Sequence, residues 1–234
     1  MAIKAIFFDL DDTLHDHQKP FTDSLHKMFP EHAEILAPED TYKKFRYFSD
    51  LLWEDYCQNR LTLEELRVQR MVLALKEYEI SISNEVAQQF QLQYEAALNA
   101  IELFPEVPEL LTTLSNQGFE LGIITNGPTA HQRNKMKCLG ITQYIPEHRI
   151  FVSDAVGHAK PDPRIFHEAA KTVDCAPEHI LYIGDSWTND IVGSSKAGWQ
   201  SIWYNHRKRQ PDTEHTPLAE IEQLLSILEV VKQG

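Results

Sequence analysis

Three short apolar runs, each leading to a polar residue, constrain the fold of this chain more than any other feature of its sequence. They are Ala5 to Phe8 before Asp9, Leu121 to Ile124 before Thr125, and Ile180 to Gly184 before Asp185. Each run is continuous rather than alternating in polarity, which is typical of strands buried on both faces of a parallel sheet. Two further candidate strands are Arg149 to Ser153 and Gln200 to Tyr204.

Helical patterns with start and stop signals lie between the apolar runs. The segment from Glu106 to Gln117 ends at Gly118, and the segment from Thr129 to Leu139 ends at Gly140. Further helix signals are Asp162 with Pro163, a segment from about Thr188 to Gly198, and a last amphipathic helix with Leu218, Ile221, Leu224, Leu225, Leu228 and Val231. This alternation predicts an α/β fold with a doubly wound, Rossmann-like parallel sheet.

The stretch from about Asp16 to Ala100 breaks the alternation, because it holds no convincing strand run and consists of several helical patterns. Thr62 and Glu65 have the spacing of a capping box that opens one of these helices. Five apolar residues fall at helical spacing in another: Tyr42, Phe45, Phe48, Leu52 and Tyr56. We therefore predict an α/β core domain of residues 1–15 and 101–234 and an inserted all-helical domain of residues 16–100.

The composition argues against several classes of partner. The chain has 35 acidic and 22 basic residues, and its formal net charge of -13 opposes contact with nucleic acid polymers and anionic membranes.

No apolar stretch approaches the roughly 18 residues that span a bilayer, and the opening residues lack a leader cleavage site. Three cysteines far apart in sequence, Cys57, Cys138 and Cys175, are typical of a thiol-reducing compartment. We expect a cytoplasmic protein.

Carboxylates crowd the end of the first predicted strand. In an open α/β sheet, ligands bind at the carboxyl ends of the strands, where Asp9, Thr125 and Asp185 should lie. Asp11 and Asp12 follow Asp9 closely, so their mutual repulsion requires a cation. A hard divalent ion with oxygen ligands, Mg²⁺, fits this set better than zinc, for which no thiol or imidazole spacing is present. The same segment taken alone could be a capped, solvated turn.

Three further segments carry weaker signals on their own. The segment from Thr125 to Gly127 can offer a hydroxyl and backbone N–H groups to a phosphate, or it can be a simple turn. Lys160 can anchor phosphate charge, or it can be an ordinary surface lysine. Asp185 and Asp190 put two carboxylates between a buried strand and a helix start, an arrangement that is costly without a metal ion.

Together these segments resemble the motifs of the haloacid dehalogenase superfamily of phosphohydrolases, and they occur in its order. The motifs are the Asp-x-Asp-x-Thr segment that starts at Asp9, the strand-ending Thr125, Lys160, and the Gly-Asp-x-x-x-x-Asp segment that ends at Asp190. The resemblance covers essentially the whole chain, since the helical insert lies where subfamily I carries its helical cap. The stretch from Val152 to Phe166 is also similar to that subfamily's lysine region.

The resemblance implies a Mg²⁺-dependent phosphatase of small phosphorylated metabolites, such as a nucleoside monophosphate. Asp9 would attack phosphorus and form an aspartyl-phosphate, which splits the hydrolysis into two displacements. Asp11 would protonate the leaving group and then act as base on the water that cleaves the intermediate. The active protein would be a monomer or a homodimer.

The same resemblance implies which residues bind phosphate and metal. Thr125, Asn126 and Lys160 would bind the transferring phosphoryl oxygens. The metal ion would lie on Asp9, Asp185 and the main-chain carbonyl of Asp11. Asp190 would orient Lys160 or metal-bound waters from behind.

The sequence is also compatible with other functions. A phosphomutase of the same superfamily would return the phosphoryl group to a sugar rather than to water. A carbon–halogen hydrolase of the superfamily would lack an acid two residues after the nucleophile, where Asp11 stands. A phospho-accepting receiver domain, which is a signalling module, would be roughly half as long and would lack the helical insert.

Three features have two interpretations each. Trp187 can face the cap, or it can pack under the following helix. The basic run from His206 to Arg209 can be a solvated loop or can recruit an anionic substrate. The aromatic residues of the helical insert can stack on a flat ligand or form the core of a helical bundle.

Overall fold

The computed structural model describes residues 2–233, which divide into two compact units. One unit joins the residues up to Asp16 to those from Glu102 onward, and the other is His17–Ile101. The first unit contains the strands of the described residues, whereas the second is built from helices. In the part of the chain that the structure describes, no helix has the length and apolar character needed to cross a membrane.

Among the described residues, the helical unit has four α-helices, and the α/β unit has six strands and six α-helices. The helical unit contains α1 (Lys19–Met28), α2 (Pro38–Cys57), α3 (Leu63–Lys76) and α4 (Asn84–Leu98). The strands of the α/β unit are β1 (Ala5–Phe8), β2 (Glu120–Thr125), β3 (Ile150–Val152), β4 (Ile180–Gly184), β5 (Gln200–Tyr204) and β6 (Ala219–Ile221). Its helices are α5 (Val107–Asn116), α6 (Thr129–Cys138), α7 (Ser153–Val156), α8 (Pro163–Ala170), α9 (Gly193–Lys196) and α10 (Ile227–Gln233).

The described strands form one parallel sheet in the order β3-β2-β1-β4-β5-β6. The central strand β1 is completely buried, which explains why its sequence is continuously apolar. On one face, Phe166 of α8 packs against Tyr182 of β4 and against Trp199, with ring centroids 5.1 and 5.4 Å apart. The predicted α/β class with a doubly wound parallel sheet is confirmed, and the five predicted strands are present.

The prediction of a last amphipathic helix starting near Leu218 is wrong. Residues Ala219–Ile221 instead form β6, which pairs with β5 at the sheet edge. A single 3₁₀ turn, Leu224–Ser226, and α10 follow it. Leu218 and Leu225 are exposed, so the spacing that resembled a helical stripe does not correspond to one buried face. Pairing with a neighbouring strand has overridden a local pattern that fits either structure.

The helix predicted near Thr188 begins as a different kind of turn. Residues Trp187–Val192 form a π-helix, and α9 continues it to the residues before Gly198, which has a φ of +78°. The wider π turn is common at functional sites, and here it contains Asp190. The predicted boundaries of α5 and α6 agree with the structure to within one residue.

The helical unit has an aromatic core of its own. The ring of Phe21 lies 4.9 Å from that of Phe45 and 5.5 Å from that of Phe90. In the aromatic stripe of α2, Phe45 belongs to this core, while Tyr47 and Trp53 are exposed. The bundle-core interpretation therefore holds for only part of the stripe. The predicted capping box is present, since Thr62 and Glu65 bond to each other's backbone N–H groups.

Close packing between β1 and β2 yields a stability prediction. Gly122 pairs with Phe7 in register, and a methyl group at position 122 would collide with the Phe7 ring. Gly122→Ala is therefore expected to lower the free energy of unfolding by about 1–3 kcal/mol, measured by urea denaturation. The double variant Gly122→Ala/Phe7→Leu should lose less unfolding free energy than the two single variants lose in sum, because the smaller side chain relieves the collision. Fully additive losses would contradict the packing argument.

Candidate active site

The carboxyl ends of β1, β2 and β4 bring the predicted polar residues to one edge of the sheet. Asp9 follows β1, Thr125 ends β2, and Asp185 follows β4, and all three are more than nine-tenths buried. The backbone N–H of Asp9 donates to the carbonyl of Ile183 at 2.8 Å, so the ladder continues one residue past the strand. The chain order reverses between β1 and β4. Ligands of open α/β sheets bind at such a switch point.

The ammonium of Lys160 joins this edge together. Its Nζ donates to Asp9 Oδ1 at 2.7 Å, to Asp190 Oδ1 at 2.6 Å and to the hydroxyl of Tyr182 at 2.8 Å. These three acceptors match the three donors of an ammonium group. Lys160 is 5% exposed, so the surface-lysine interpretation is wrong.

The charges of this cluster do not balance. Burial disfavours the charge of Lys160, but the carboxylates of Asp190 and Asp9 outweigh it and raise the pKa of the lysine well above its ordinary value. Burial raises the pKa of Asp9 well above its ordinary value, Lys160 opposes this, and Asp190 and Asp185 add to it. The buried Lys160 and the half-exposed Arg209, which pairs with Asp185, face three buried carboxylates, so one negative charge still needs a proton or another cation.

The glycine of the last motif has a steric reason. A side chain at Gly184 would collide with the carboxylate of Asp190, which is fully buried behind the end of β4. Asp190 Oδ2 accepts from the backbone N–H of Ser186 at 2.9 Å, while its Oδ1 binds Lys160. Both oxygens are thus engaged. The close approach of this carboxylate to the strand explains why glycine and aspartate occur together in the motif.

Three carboxylates could hold a metal ion. One oxygen each from Asp9, Asp185 and Asp190 lies within 4.8 Å of the others. Burial, together with the charges of Asp190 and Asp12, raises the pKa of Asp185 to about 7, and Arg209 opposes that rise. This hard, oxygen-only donor set is of the kind that Mg²⁺ prefers.

The Asp11 side chain has a separate set of partners. Lys135 Nζ lies 2.6 and 2.8 Å from its two oxygens, His15 Nε2 lies 2.8 Å from Oδ1, and Gln132 Nε2 lies 3.0 Å from Oδ2. None of these three partners was predicted from the sequence. Polar residues on α6 have no distinguishing signal before folding, although Gln132 and Lys135 share a face at a spacing of three.

The segment after β2 is organised by the same helix. Thr125 Oγ1 accepts from Gln132 Nε2 at 2.6 Å. The side chain of Asn126 bonds to the main chain of Lys160 in both directions, at 2.9 Å each. The Asn126 amide thus positions the Lys160 segment, so any contact of Asn126 with phosphate would have to come from its backbone.

The basic run is not a simple solvated loop. Arg207 donates to the two oxygens of Asp12 at 2.8 and 3.1 Å, and Arg209 donates to Asp185 Oδ2 at 2.9 Å. Lys208, between them, is exposed. The sequence shows a run of basic residues here but does not identify the carboxylates with which they pair.

Trp187 packs rather than lying open at the surface. It is 7% exposed, its ring lies 4.7 Å from that of Trp203, and its Nε1 donates to Thr213 at 2.9 Å. The packing interpretation accounts for these contacts.

Comparison with known proteins identifies the family. The protein-family model for haloacid dehalogenase-like hydrolases matches residues 3–198 of this chain. The chain belongs to this family. The expectation of a hydrolase from this superfamily is confirmed.

Similar family members include phosphatases. A glyceraldehyde 3-phosphate phosphatase of Methanothermobacter thermautotrophicus is 28% identical over 97% of this chain and 100% of its own length. The pyrimidine 5'-nucleotidase YjjG of Escherichia coli is 29% identical over 94% of this chain and 96% of its own. The magnesium-bound structure of the putative hydrolase YfnB from Bacillus subtilis is 27% identical, covers 99% of both chains and has a TM-score of 0.71.

Removing the central cation tests the charge argument. Lys160→Met leaves the carboxylates of Asp9 and Asp190 buried without a cation between them, so the free energy of unfolding at about pH 8 should fall by about 3–5 kcal/mol. A raised carboxyl pKa in the folded state penalises stability above that pKa, and the penalty is relieved as the pH falls through it. The deficit should therefore shrink toward about pH 5.5.

Urea denaturation at about pH 8 and about pH 5.5 measures the loss of unfolding free energy, with Lys171→Met as the control. Lys171 is exposed and pairs with Glu168 at the surface, so its loss should cost no more than about 1 kcal/mol. A deficit for Lys160→Met that grows as the pH falls would refute the argument.

Proposed function

We propose that this chain is a Mg²⁺-dependent phosphatase that hydrolyses monoesters of small phosphorylated metabolites through an aspartyl-phosphate. The observation that carries the proposal is the buried ammonium of Lys160 between Asp9 and Asp190 at the switch point of the sheet. A strand-end carboxylate oriented by a cation suits attack on an anionic phosphate. The names of the similar phosphatases support the same class of reaction.

Asp9 is proposed as the nucleophile. Lys160 holds Oδ1 at 2.7 Å, which leaves Oδ2 to attack phosphorus. The bond from Oδ2 to phosphorus forms as the bond from phosphorus to the ester oxygen breaks, and Asp11 gives its proton to the leaving oxygen. Thr125 and Lys160 would hold the other phosphoryl oxygens during the transfer.

Asp11 is proposed to act again in the second step. It takes a proton from a water molecule, whose oxygen then attacks phosphorus and releases inorganic phosphate and free Asp9. The Asp11 side chain is 24% exposed, so water can reach it. An acid at this position favours phosphate chemistry over carbon–halogen hydrolysis.

The residues present fit a magnesium ion. Asp9, Asp185 and the main-chain carbonyl of Asp11 would hold it, with Asp190 behind them on Lys160. A divalent ion would offset the surplus negative charge of the buried carboxylates and shield the anionic nucleophile from its anionic target.

The helical unit is proposed as the cap that selects the substrate. It is inserted between β1 and β2, directly after the segment that contains Asp9 and Asp11. Small sugar phosphates and nucleoside monophosphates are the first substrates to test, because similar proteins have names of these two kinds. We further propose a cytoplasmic protein that acts as a monomer or homodimer.

Release of inorganic phosphate tests the proposal. A panel of small esters, including a triose phosphate and nucleoside monophosphates, should yield phosphate with Mg²⁺ and none with excess chelator. Asp9→Asn should lower turnover more than about a thousandfold, because an amide oxygen is a poor nucleophile.

Asp174→Asn is the matched control, since Asp174 is exposed, and it should keep wild-type turnover. Appreciable turnover in Asp9→Asn would refute the nucleophile assignment. Halide release from a 2-haloacid without phosphatase activity, or transfer of the phosphoryl group to a sugar, would replace the proposed function with a dehalogenase or a mutase.

The metal affinity should depend on pH. Because the pKa of Asp185 is about 7 without metal, Mg²⁺ must displace a proton from this carboxyl below that pH. We expect the dissociation constant for Mg²⁺ to rise by up to about tenfold for each unit of pH below 7. Titration calorimetry at about pH 8 and about pH 6 measures this. Equal affinities at the two values would contradict the prediction.

A further inference from the structure

Helix α6 buries two long polar side chains on one face. Gln132 and Lys135 are 1% and 3% exposed, although the helix has little apolar character, with Met136 its one apolar residue in the buried set. Burying an ammonium is costly unless it is paired. Lys135 Nζ lies 2.6 and 2.8 Å from the two oxygens of Asp11. Pairing with the Asp11 carboxylate therefore offsets the cost of burying the Lys135 ammonium on this helix.

The contacts around Asp11 restrict how its carboxylate can rotate. Lys135 binds both oxygens, while His15 approaches Oδ1 and Gln132 approaches Oδ2. Gln132 Nε2 also lies 2.6 Å from Thr125 Oγ1 and 3.0 Å from the carbonyl of Asn126. The orientation of Asp11 is thereby tied to the end of β2, where the phosphoryl group would bind.

We propose that Lys135 is a positioning residue that holds the carboxylate of Asp11 for proton transfer in both steps of the reaction. This inference rests on the proposed phosphatase function. A general acid must point at the leaving oxygen and later at a water molecule, and a side chain with free rotation would do so only part of the time. Lys135 acts through Asp11 and need not contact the substrate.

Esters with different leaving groups separate this role from a structural one. An alkyl ester needs a proton on its leaving oxygen, whereas 2,4-dinitrophenolate departs without one. Lys135→Met should lower kcat/KM for the best alkyl ester of the panel by about 10–100-fold, by analogy with the range found when a group that orients a metal ligand is lost. The kcat/KM for 2,4-dinitrophenyl phosphate should stay within about threefold of wild type, because this ratio reports the first step alone. Its kcat should fall, since base catalysis of the second step is impaired.

Variants of the same network provide the controls. Asp11→Asn should show the same leaving-group signature, and adding Lys135→Met to it should cause little further loss, because both changes remove one function. Lys135→Arg should recover part of the alkyl-ester activity. Lys137→Met is the matched control, since Lys137 is exposed on the same helix, and it should behave as wild type. If Lys135→Met shows no cooperative unfolding and is therefore not folded, Lys135→Gln replaces it in the same measurements.

Each remaining outcome has a clear meaning. Equal losses on both esters would overturn the inference and indicate a general structural or phosphate-binding role for Lys135. No loss on either ester would overturn it as well, as would fully additive losses in the double variant. If the wild-type protein releases phosphate from neither ester, the proposed function fails, which is a different result from a failure of the Lys135 inference alone.

Discussion

The ion pairs of the Lys160 ammonium are the interaction on which the polar edge of the sheet depends. They connect Asp9 after β1 to Asp190 in the π-helix after β4. The same ammonium donates to Tyr182, whose hydroxyl donates in turn to the carbonyl of Ile124 in β2 at 2.8 Å. Three neighbouring strands are thus linked through one buried cation. Its removal would leave mutually repelling carboxylates in a low-dielectric interior, so the geometry of the whole edge is coupled to a single charge.

Four carboxylates at this edge each pair with a different basic side chain, and Asp190 shares Lys160 with Asp9. The pairs are Asp9 with Lys160, Asp11 with Lys135, Asp12 with Arg207 and Asp185 with Arg209. They differ in burial: the Lys160 and Lys135 side chains are nearly inaccessible, whereas that of Arg209 is 47% exposed. An exposed partner loses little when it returns to water. Of these four carboxylates, Asp185 would therefore give up its basic partner at the lowest cost, which supports its proposed place in the metal site.

How much could be predicted from the sequence depends on where each signal lies. The strands and the motif residues after them were predictable. A strand buried on both faces has a continuous apolar sequence, and the polar motif residues come directly after it. Strand β6 was not, since three residues at a sheet edge leave no pattern distinct from a helix. Two partners of Asp11, Gln132 and Lys135, were not predictable either, because they are about 120 residues away and resemble a solvated helix face. The domain boundaries and the roles of the site residues stay predictions.

Two carboxylates separated by one residue acquire different environments because the chain turns sharply after β1. Asp9 still lies in the ladder, where it is buried and one of its oxygens is bound to Lys160. Beyond it the backbone closes a turn, with Leu14 donating to the carbonyl of Leu10, and Asp11 reaches the face of α6. A nucleophile needs an unbound oxygen in a dry site, whereas an acid and base needs access to water and a fixed orientation. The turn provides both conditions within three residues, as the roles proposed for Asp9 and Asp11 require.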